Sequence, residues 1–404
     1  MRELIPDRPS LVARLAFLLV LLITASAVYA QNKGTRAELY GFAMLDMGYQ
    51  FKSSDPAWFD VMRPTKLPAF DNQFGEDGHW FSGVRQSRLG VKTFTPTRLG
   101  ELKTTFEFEL FGVGVDAGQT TFRLRHAYGE LGHFGAGQTW SPFMDIDVFP
   151  NSIEYWGPNG MVFFRNVQAR WMPIQGDTRM TVALERPGAS ADQGSYRQQI
   201  EALGIKARFP MPDLSAEYRR ATKRGYIEVA GILRYFSWND SVTARDASGD
   251  EIGWGINVSS NIKLTRLHPN DVARLQVVFG EGVQNYMNDA TVDVGVEGSG
   301  ANIDGKALQI LGIVAFIDHY WNDRWSTSAG YSLVDTDNSS GQLDDAYRRG
   351  QYALGNLLYY PVHNVMMGAE FQWGRRENKG NFTSDDYRIQ FSARYNFALN
   401  LGSP

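Results

Sequence analysis

The sequence predicts an all-β fold, a single transmembrane barrel of sixteen antiparallel strands with long outer loops at one end and short turns at the other. Three observations carry the prediction. From Asp385 to Phe397 the chain alternates without exception, Tyr387, Ile389, Phe391, Ala393, Tyr395 and Phe397 on one face and Arg388, Gln390, Ser392, Arg394 and Asn396 on the other. Aromatics at both ends of the apolar face and arginines on the polar face suit a wall between lipid and a wet lumen better than the edge of a soluble sandwich. Segments of this kind recur along the chain, separated alternately by long polar stretches and short turns. Finally, no apolar run after residue 30 is long enough to cross a bilayer as a helix.

The first thirty residues read as a secretory signal. Arg2, Arg8 and Arg14 supply the positive region, Leu15 to Ile23 is too short to span a membrane as a helix, and Val28-Tyr29-Ala30 is a small-residue cleavage site. Residues 31–404 then form one barrel domain, since a barrel cannot be cut without exposing strand edges.

Taken in order, Leu39–Phe51 opens the barrel with Asp46 and Gln50 on its polar face, and a long loop follows to Gly83. Val84–Thr95 carries Gln86, Arg88 and Lys92 inward and reaches Leu102–Phe111 through the short turn Pro96–Gly100. Thr121–Leu131 and Ala136–Trp140 flank Gly132–Phe134; the long segment Ser141–Gly160 follows, then Met161–Met172 and Arg179–Arg186 around another short turn. Arg197–Phe209 also alternates, but it would make a seventeenth strand. Both chain ends should lie on one side of the membrane, which requires an even count, so Pro187–Pro212 is assigned to one outer loop. The remaining strands are Asp213–Ala221, Tyr226–Trp238, Ile252–Leu264, Val272–Glu281, Lys306–Ile317, Arg324–Val334, Gln351–Tyr360, Val365–Arg376 and Asp385–Phe397.

Composition narrows function. The chain of 404 residues has a net charge of −4, which provides no global field for nucleic acid. With no cysteine it has no thiol chemistry, disulfides or thiolate metal sites.

Several phrases, spread through nearly the whole mature chain, resemble one family, the DcaP-like trimeric outer-membrane porins. They are Tyr40-Gly41-Phe42-Ala43-Met44-Leu45-Asp46-Met47, Arg85-Gln86-Ser87-Arg88-Leu89-Gly90, Gly137-Gln138-Thr139-Trp140-Ser141, Gly280-Glu281-Gly282 followed by Tyr286, and His319-Tyr320-Trp321. The resemblance implies a porin-like homotrimer in a Gram-negative outer membrane, passing small solutes with a preference for anionic ones such as dicarboxylates. The carboxylates of the outer loops suit divalent cations bridging lipopolysaccharide, and a terminal aromatic is what the barrel assembly machinery expects. The chain departs from the pattern in having only seven residues between Ala30 and Glu38, too few for a helical extension, and in carrying Ala398–Pro404 beyond the closing aromatic Phe397.

A barrel of this size leaves an aqueous channel, so its chemistry is that of the lumen. Inward-facing Arg88, Lys92, Arg123, Arg125, Arg170, Arg388 and Arg394 fall on adjoining strands and predict a positive wall, because strand sixteen closes on strand one. In porin-type barrels the third loop folds inward, and here it carries Asp145, Asp147 and Glu154 among aromatics that would oppose the wall. A transverse field of this kind orients small anions, and the guanidinium fork suits carboxylates. The competing reading pairs the arginines with Glu107, Glu109, Glu217 and Glu370 merely to stiffen the wall.

A barrel enzyme would need a nucleophile, a base and an orienting group on neighbouring strands, and His126, read as the only histidine on a strand, has no clear serine or acid partner. His133, His268, His319 and His363 fall in turns and suit interfacial rings better than a metal site. Asp335–Ser340 looks like the start of a calcium loop but lacks the glycine and the closing glutamate. No cofactor is implied. A receptor or adhesin working through the outer loops is the alternative to a channel.

Overall fold

Closure of the barrel is visible in its last pairing. The final strand, Thr383–Leu401, runs antiparallel to the first along Ala37–Gln50. The structure, a computed structural model, describes residues 34–402 except 198–203, 242–246 and 300–301, so the signal segment to Ala30 lies outside the described residues. In chain order the barrel strands are β1 (Arg36–Gln50), β2 (Arg88–Thr97), β3 (Gly100–Phe111), β4 (Thr120–Leu131), β5 (Phe134–Trp140), β6 (Arg165–Ile174), β7 (Arg179–Glu185), β8 (Asp213–Thr222), β9 (Gly225–Asp240), β10 (Gly249–Lys263), β11 (Val272–Glu281), β12 (Gln309–Asn322), β13 (Trp325–Asp337), β14 (Tyr347–Tyr359), β15 (Val365–Asn378) and β16 (Thr383–Leu401). Each pairs antiparallel with its neighbours in sequence, giving the predicted sixteen.

The outer face follows the alternation rule. Leu233, Val258 and Val277 are exposed near mid-strand on β9, β10 and β11. Aromatic pairs sit towards both rims, Trp254 with Phe279 and Phe371 with Tyr387 at the loop end, Trp325 with Tyr359 at the turn end. This is an apolar band between aromatic girdles.

Several boundaries differ from expectation for identifiable reasons. The segment expected to open β2 instead leaves the sheet. His79–Gly83 pairs with the upper part of β1 at Asp46–Gln50, β2 pairs with its lower part from Arg88 onward, and Arg85 between them turns inward. Arg85 is drawn there by Asp60 at 2.5 Å and by the Phe111 ring at 3.9 Å. β6 begins at Arg165 rather than Met161 because Met161 and Val162 are buried under the loops. β12 begins at Gln309, since Asn302–Ala307 pairs with Val294–Ser299 in a separate small sheet over the loop end. Of the excluded seventeenth strand, Arg197–Phe209, residues 198–203 lie outside the described residues, and Ile205–Arg208 pairs with the loop end of β9. β16 runs four residues beyond Phe397, and these pair with Ala37–Tyr40. His319 lies within β12, not in a turn, and hydrogen-bonds the Asp271 carboxylate at 2.6 Å.

The lumen is not uniformly polar. Inward residues of β9 to β14, including Ile232, Val278, Val314, Phe316, Val334 and Tyr352, form a buried apolar surface. Phe143, Met144, Val148, Met161 and Val162 of the third loop and Met62 and Leu67 of the first pack on it. Gly160 shows how closely the loop approaches: a Cβ there would stand 2.1 Å from the Leu333 carbonyl oxygen and 2.7 Å from that of Ile313. Burying such side chains removes apolar area from water at about 25 cal/mol per Å², which is what holds the loop against the wall.

Candidate functional site

The site is the water-facing remainder of the lumen, bounded by the inner faces of β2 to β6 and by the docked third loop. On that wall Glu107 and Glu109 project from β3, and four guanidiniums surround them. Arg125 bridges both, at 2.6 Å to Glu107 and 2.5 Å to Glu109. Arg88 stands 3.6 and 3.5 Å from the same two carboxylates, Arg123 is 3.5 Å from Glu109, and Arg165 is 3.6 Å from it. Four cations around two anions leave the cluster positive. Lys92, Arg170 and Arg394 add to it without any carboxylate within 4.0 Å among the described residues. Lys92 lies over the Tyr40 ring, Arg170 over Tyr128, and Arg394 over Phe42, so each cation is held on an aromatic face.

A bulge builds this cluster. The pairing of β3 with β4 shifts between Glu107 and Phe108, so Arg125 and His126 are both buried on the inner side although they are consecutive. Bulges re-aim side chains in this way. His126 is held at 3.0 Å by the Thr139 hydroxyl and edge-on to Trp140, packed into the wall.

The third loop, residues 141–164, folds inward as expected and crosses to the basic wall at one point. The Tyr155 hydroxyl donates to Glu109 and accepts from Arg123 at 3.3 Å, and its ring stacks on Phe111 at 3.9 Å. The loop's acidic residues have different fates. Asp145 is fully buried, accepting from Arg219 at 2.5 Å, Tyr226 at 2.7 Å and Ser259 at 2.6 Å. Glu154 is also buried and accepts from the backbone N–H groups of Met62 and Gly157, which ties the third loop to the first. Burial pushes its carboxyl up to about 7, with Arg388 and the two N–H groups pulling the other way. Asp147 pairs with Arg219 at 2.5 Å and keeps its side chain half exposed, so it is the one of the three that faces water. Arg388 is buried under the first loop, stacked on the Phe81 ring at 3.9 Å and donating to the Asp60 carbonyl, away from the open lumen.

Opposite the basic wall the balance reverses. Arg179, Arg219 and Arg274 are surrounded by Glu217, Glu228, Asp145, Asp147 and Asp318. Three guanidiniums thus share five carboxylates on that side, of which Asp147 is half exposed and Glu217, Glu228, Asp145 and Asp318 are buried.

Sequence reasoning missed Arg165 and Arg63. Alternation from Gln168 and Arg170 assigns Arg165 to the lipid face, and an arginine there is costly enough to have been a signal. Arg63 lies between the Trp58 and Trp156 rings at 4.1 and 4.0 Å and pairs with buried Asp289 at 2.8 Å, linking the first loop to the sixth. Nothing local in the sequence marks it. The end of Asp335–Ser340, the calcium-loop lookalike, and Gln342 just beyond it present carbonyls that accept from an internal cation. The Lys379 ammonium donates to the carbonyl oxygens of Ser339, Ser340 and Gln342 at 3.0, 3.0 and 2.6 Å.

A closed antiparallel barrel with an apolar band, aromatic girdles and a charged lumen narrowed by an inward loop is a porin-like outer-membrane channel. The chain belongs to the DcaP outer membrane protein family, whose sequence profile matches residues 24–397. Among solved structures it is similar to the outer membrane channel DcaP of Acinetobacter baumannii, with TM-score 0.75 and 20% identity over 91% of this chain and 98% of that one. It is also similar to an anion-selective porin from Comamonas acidovorans, with TM-score 0.56 and 10% identity over 90% of this chain and 100% of the other. A trimer form of OmpT, an outer membrane protein of Vibrio cholerae, matches with TM-score 0.54 and 13% identity over 90% and 100%. No curated protein sequence matches the chain.

Proposed function

We propose that the protein is a passive channel preferring small anionic solutes, carboxylates above all. The observation that carries this is the charge imbalance around Glu109, where Arg88, Arg123, Arg125 and Arg165 share two carboxylates while Lys92 and Arg170 remain unpaired beside them. Arginine fits a carboxylate through paired N–H donors, and a lumen that stays wet binds weakly enough for release. The acidic face across the lumen turns the solute so that its negative end tracks the basic wall. Arg388, Asp145 and Glu154 act in this reading by fixing the loops that shape the passage. The anion selectivity of the Comamonas acidovorans porin, which shares the fold, is consistent with the reading.

The working unit is a homotrimer, delivered through a signal peptide cleaved after Ala30 and inserted among lipopolysaccharide by the barrel assembly machinery. The trimer form of the Vibrio cholerae protein supports the assembly.

Proteoliposome swelling tests the selectivity. Liposomes carrying the protein should swell faster in succinate than in lysine or in a neutral sugar of similar size. Equal rates, or a preference for lysine, would overturn the proposal.

A further inference from the structure

The barrel wall is incomplete at one place. β4 and β5 pair only from Leu131 with Phe134 up to Ala127 with Gln138, although β4 continues back to Thr120 and β5 on to Trp140. Above that point the two strands part, and the Gln138 amide spans the gap by donating to the carbonyl oxygens of Leu124 and Arg125 at 3.2 and 3.3 Å.

A cavity of about 380 Å³ occupies the parting. It is lined by residues of both faces of the wall. Arg123 is on the inner face because its partner Glu109 is buried there, whereas Leu124 alternates with it, and Gln138 pairs with exposed Val167. The loops close it from inside with Arg63, Trp156, Phe164 and Met287. Its chemistry is divided. Three guanidiniums line it and no carboxylate does, while much of the remaining surface is apolar. One of the three, Arg165, has a side chain only 6% exposed and a buried Nη1 with no hydrogen-bond partner among the described residues. A buried donor left unsatisfied is costly, so it asks for an acceptor.

We propose that this cavity binds an amphipathic monocarboxylate, one carboxylate on an aryl or alkyl body, which is held where β4 and β5 part. The carboxylate lies against Arg123 and Arg165, and the apolar body lies against Leu124, Phe164 and Met287. The inference rests on the anion-channel reading and adds to it a site suited to solutes with an apolar end, next to the lipid-facing side of the wall. An anionic lipid headgroup presents the same chemistry as a soluble amphiphile; the proposal assigns the soluble one.

The test is single-channel recording of the full-length mature protein, refolded without lipopolysaccharide, with 4-phenylbutyrate as the probe. Phenylbutyrate should produce discrete current interruptions, and 4-phenylbutanol and acetate should not. Arg165→Gln should weaken the apparent affinity by about tenfold, the loss of one charge-assisted hydrogen bond. Ala290→Trp fills the apolar part from the sixth loop without touching an arginine, and should abolish the interruptions while leaving anion selectivity in place. Equal block by acetate and phenylbutyrate, or an Ala290→Trp channel blocked like the wild type, would overturn the site. Lipopolysaccharide abolishing the block at every phenylbutyrate concentration would overturn the soluble assignment. An anion-selective channel without block removes this inference alone, whereas a cation-selective channel removes the reading beneath it.

Discussion

Glu109→Gln perturbs the site at its most connected point, and the structure fixes the sign of two separate effects. The Glu109 carboxylate is buried, receives Arg125 at 2.5 Å and the Tyr155 hydroxyl, and has Arg88, Arg123 and Arg165 within 3.6 Å. Breaking a buried pair by removing one charge costs about 3–5 kcal/mol. The amide oxygen of glutamine can still accept from Arg125 or Tyr155, and Arg88 and Arg123, roughly a quarter exposed, can turn to water. The net loss should therefore fall at or just below the lower end of that range, about 2–3 kcal/mol. The second effect is electrostatic: one negative charge leaves the basic wall and anion selectivity rises. Guanidinium unfolding in detergent, followed by tryptophan fluorescence, reads the first; a reversal potential in a salt gradient reads the second. A variant with an unchanged midpoint would mean that Glu109 is not the hub of the cluster. Lowered anion selectivity would refute the account of the wall.

Three further outcomes are expected. Val277→Arg places a charge on the lipid face of β11 near mid-strand and should cost about 2–4 kcal/mol of insertion, seen as loss of heat-modifiable folded protein; normal folding would refute the face assignment. Glu154 titrates in its docked position at about 7, above the 4.5 of a free carboxyl. Docking of the third loop is thus strongest below pH 4.5 and weakens as pH rises through 7. Current noise should grow between pH 5 and pH 8 in the wild type and stay level in Glu154→Gln, and a level wild type would refute the linkage. Lys379→Met removes three donors from the Ser339, Ser340 and Gln342 carbonyls. It should loosen that loop by about 1–3 kcal/mol, read as faster proteolytic nicking within residues 338–346, and an unchanged rate would show that the ammonium is dispensable.

Strand number, closure and facing were legible because one rule generates them all. A two-residue period separates lipid from lumen, and the parity of a closed barrel excludes the segment around Ile205–Arg208. The limits of the rule are equally physical. Alternation places Arg388 inside but does not register Phe81 and Asp60 of the first loop covering it. Arg165 lies on the wrong parity and reaches a cavity only because β4 and β5 stop pairing, a tertiary event without a local signature. The bulge at Arg125 and His126 shifts the period by one residue, so the strand downstream reads correctly only after the shift is known. The apolar lumen surface of β9 to β14 is visible as inward residues such as Ile232 and Val314, but what packs on it comes from loops more than a hundred residues away in several cases.

Selectivity set by the basic wall of β2 to β6 can be read directly. The most direct measurement is the reversal potential of the reconstituted channel in a potassium chloride gradient, compared with a variant carrying Arg123→Gln and Arg170→Gln. An anion-selective potential that moves toward zero in the double variant is expected; a cation-selective wild type, or a potential that the two substitutions leave unchanged, would contradict a selective basic wall.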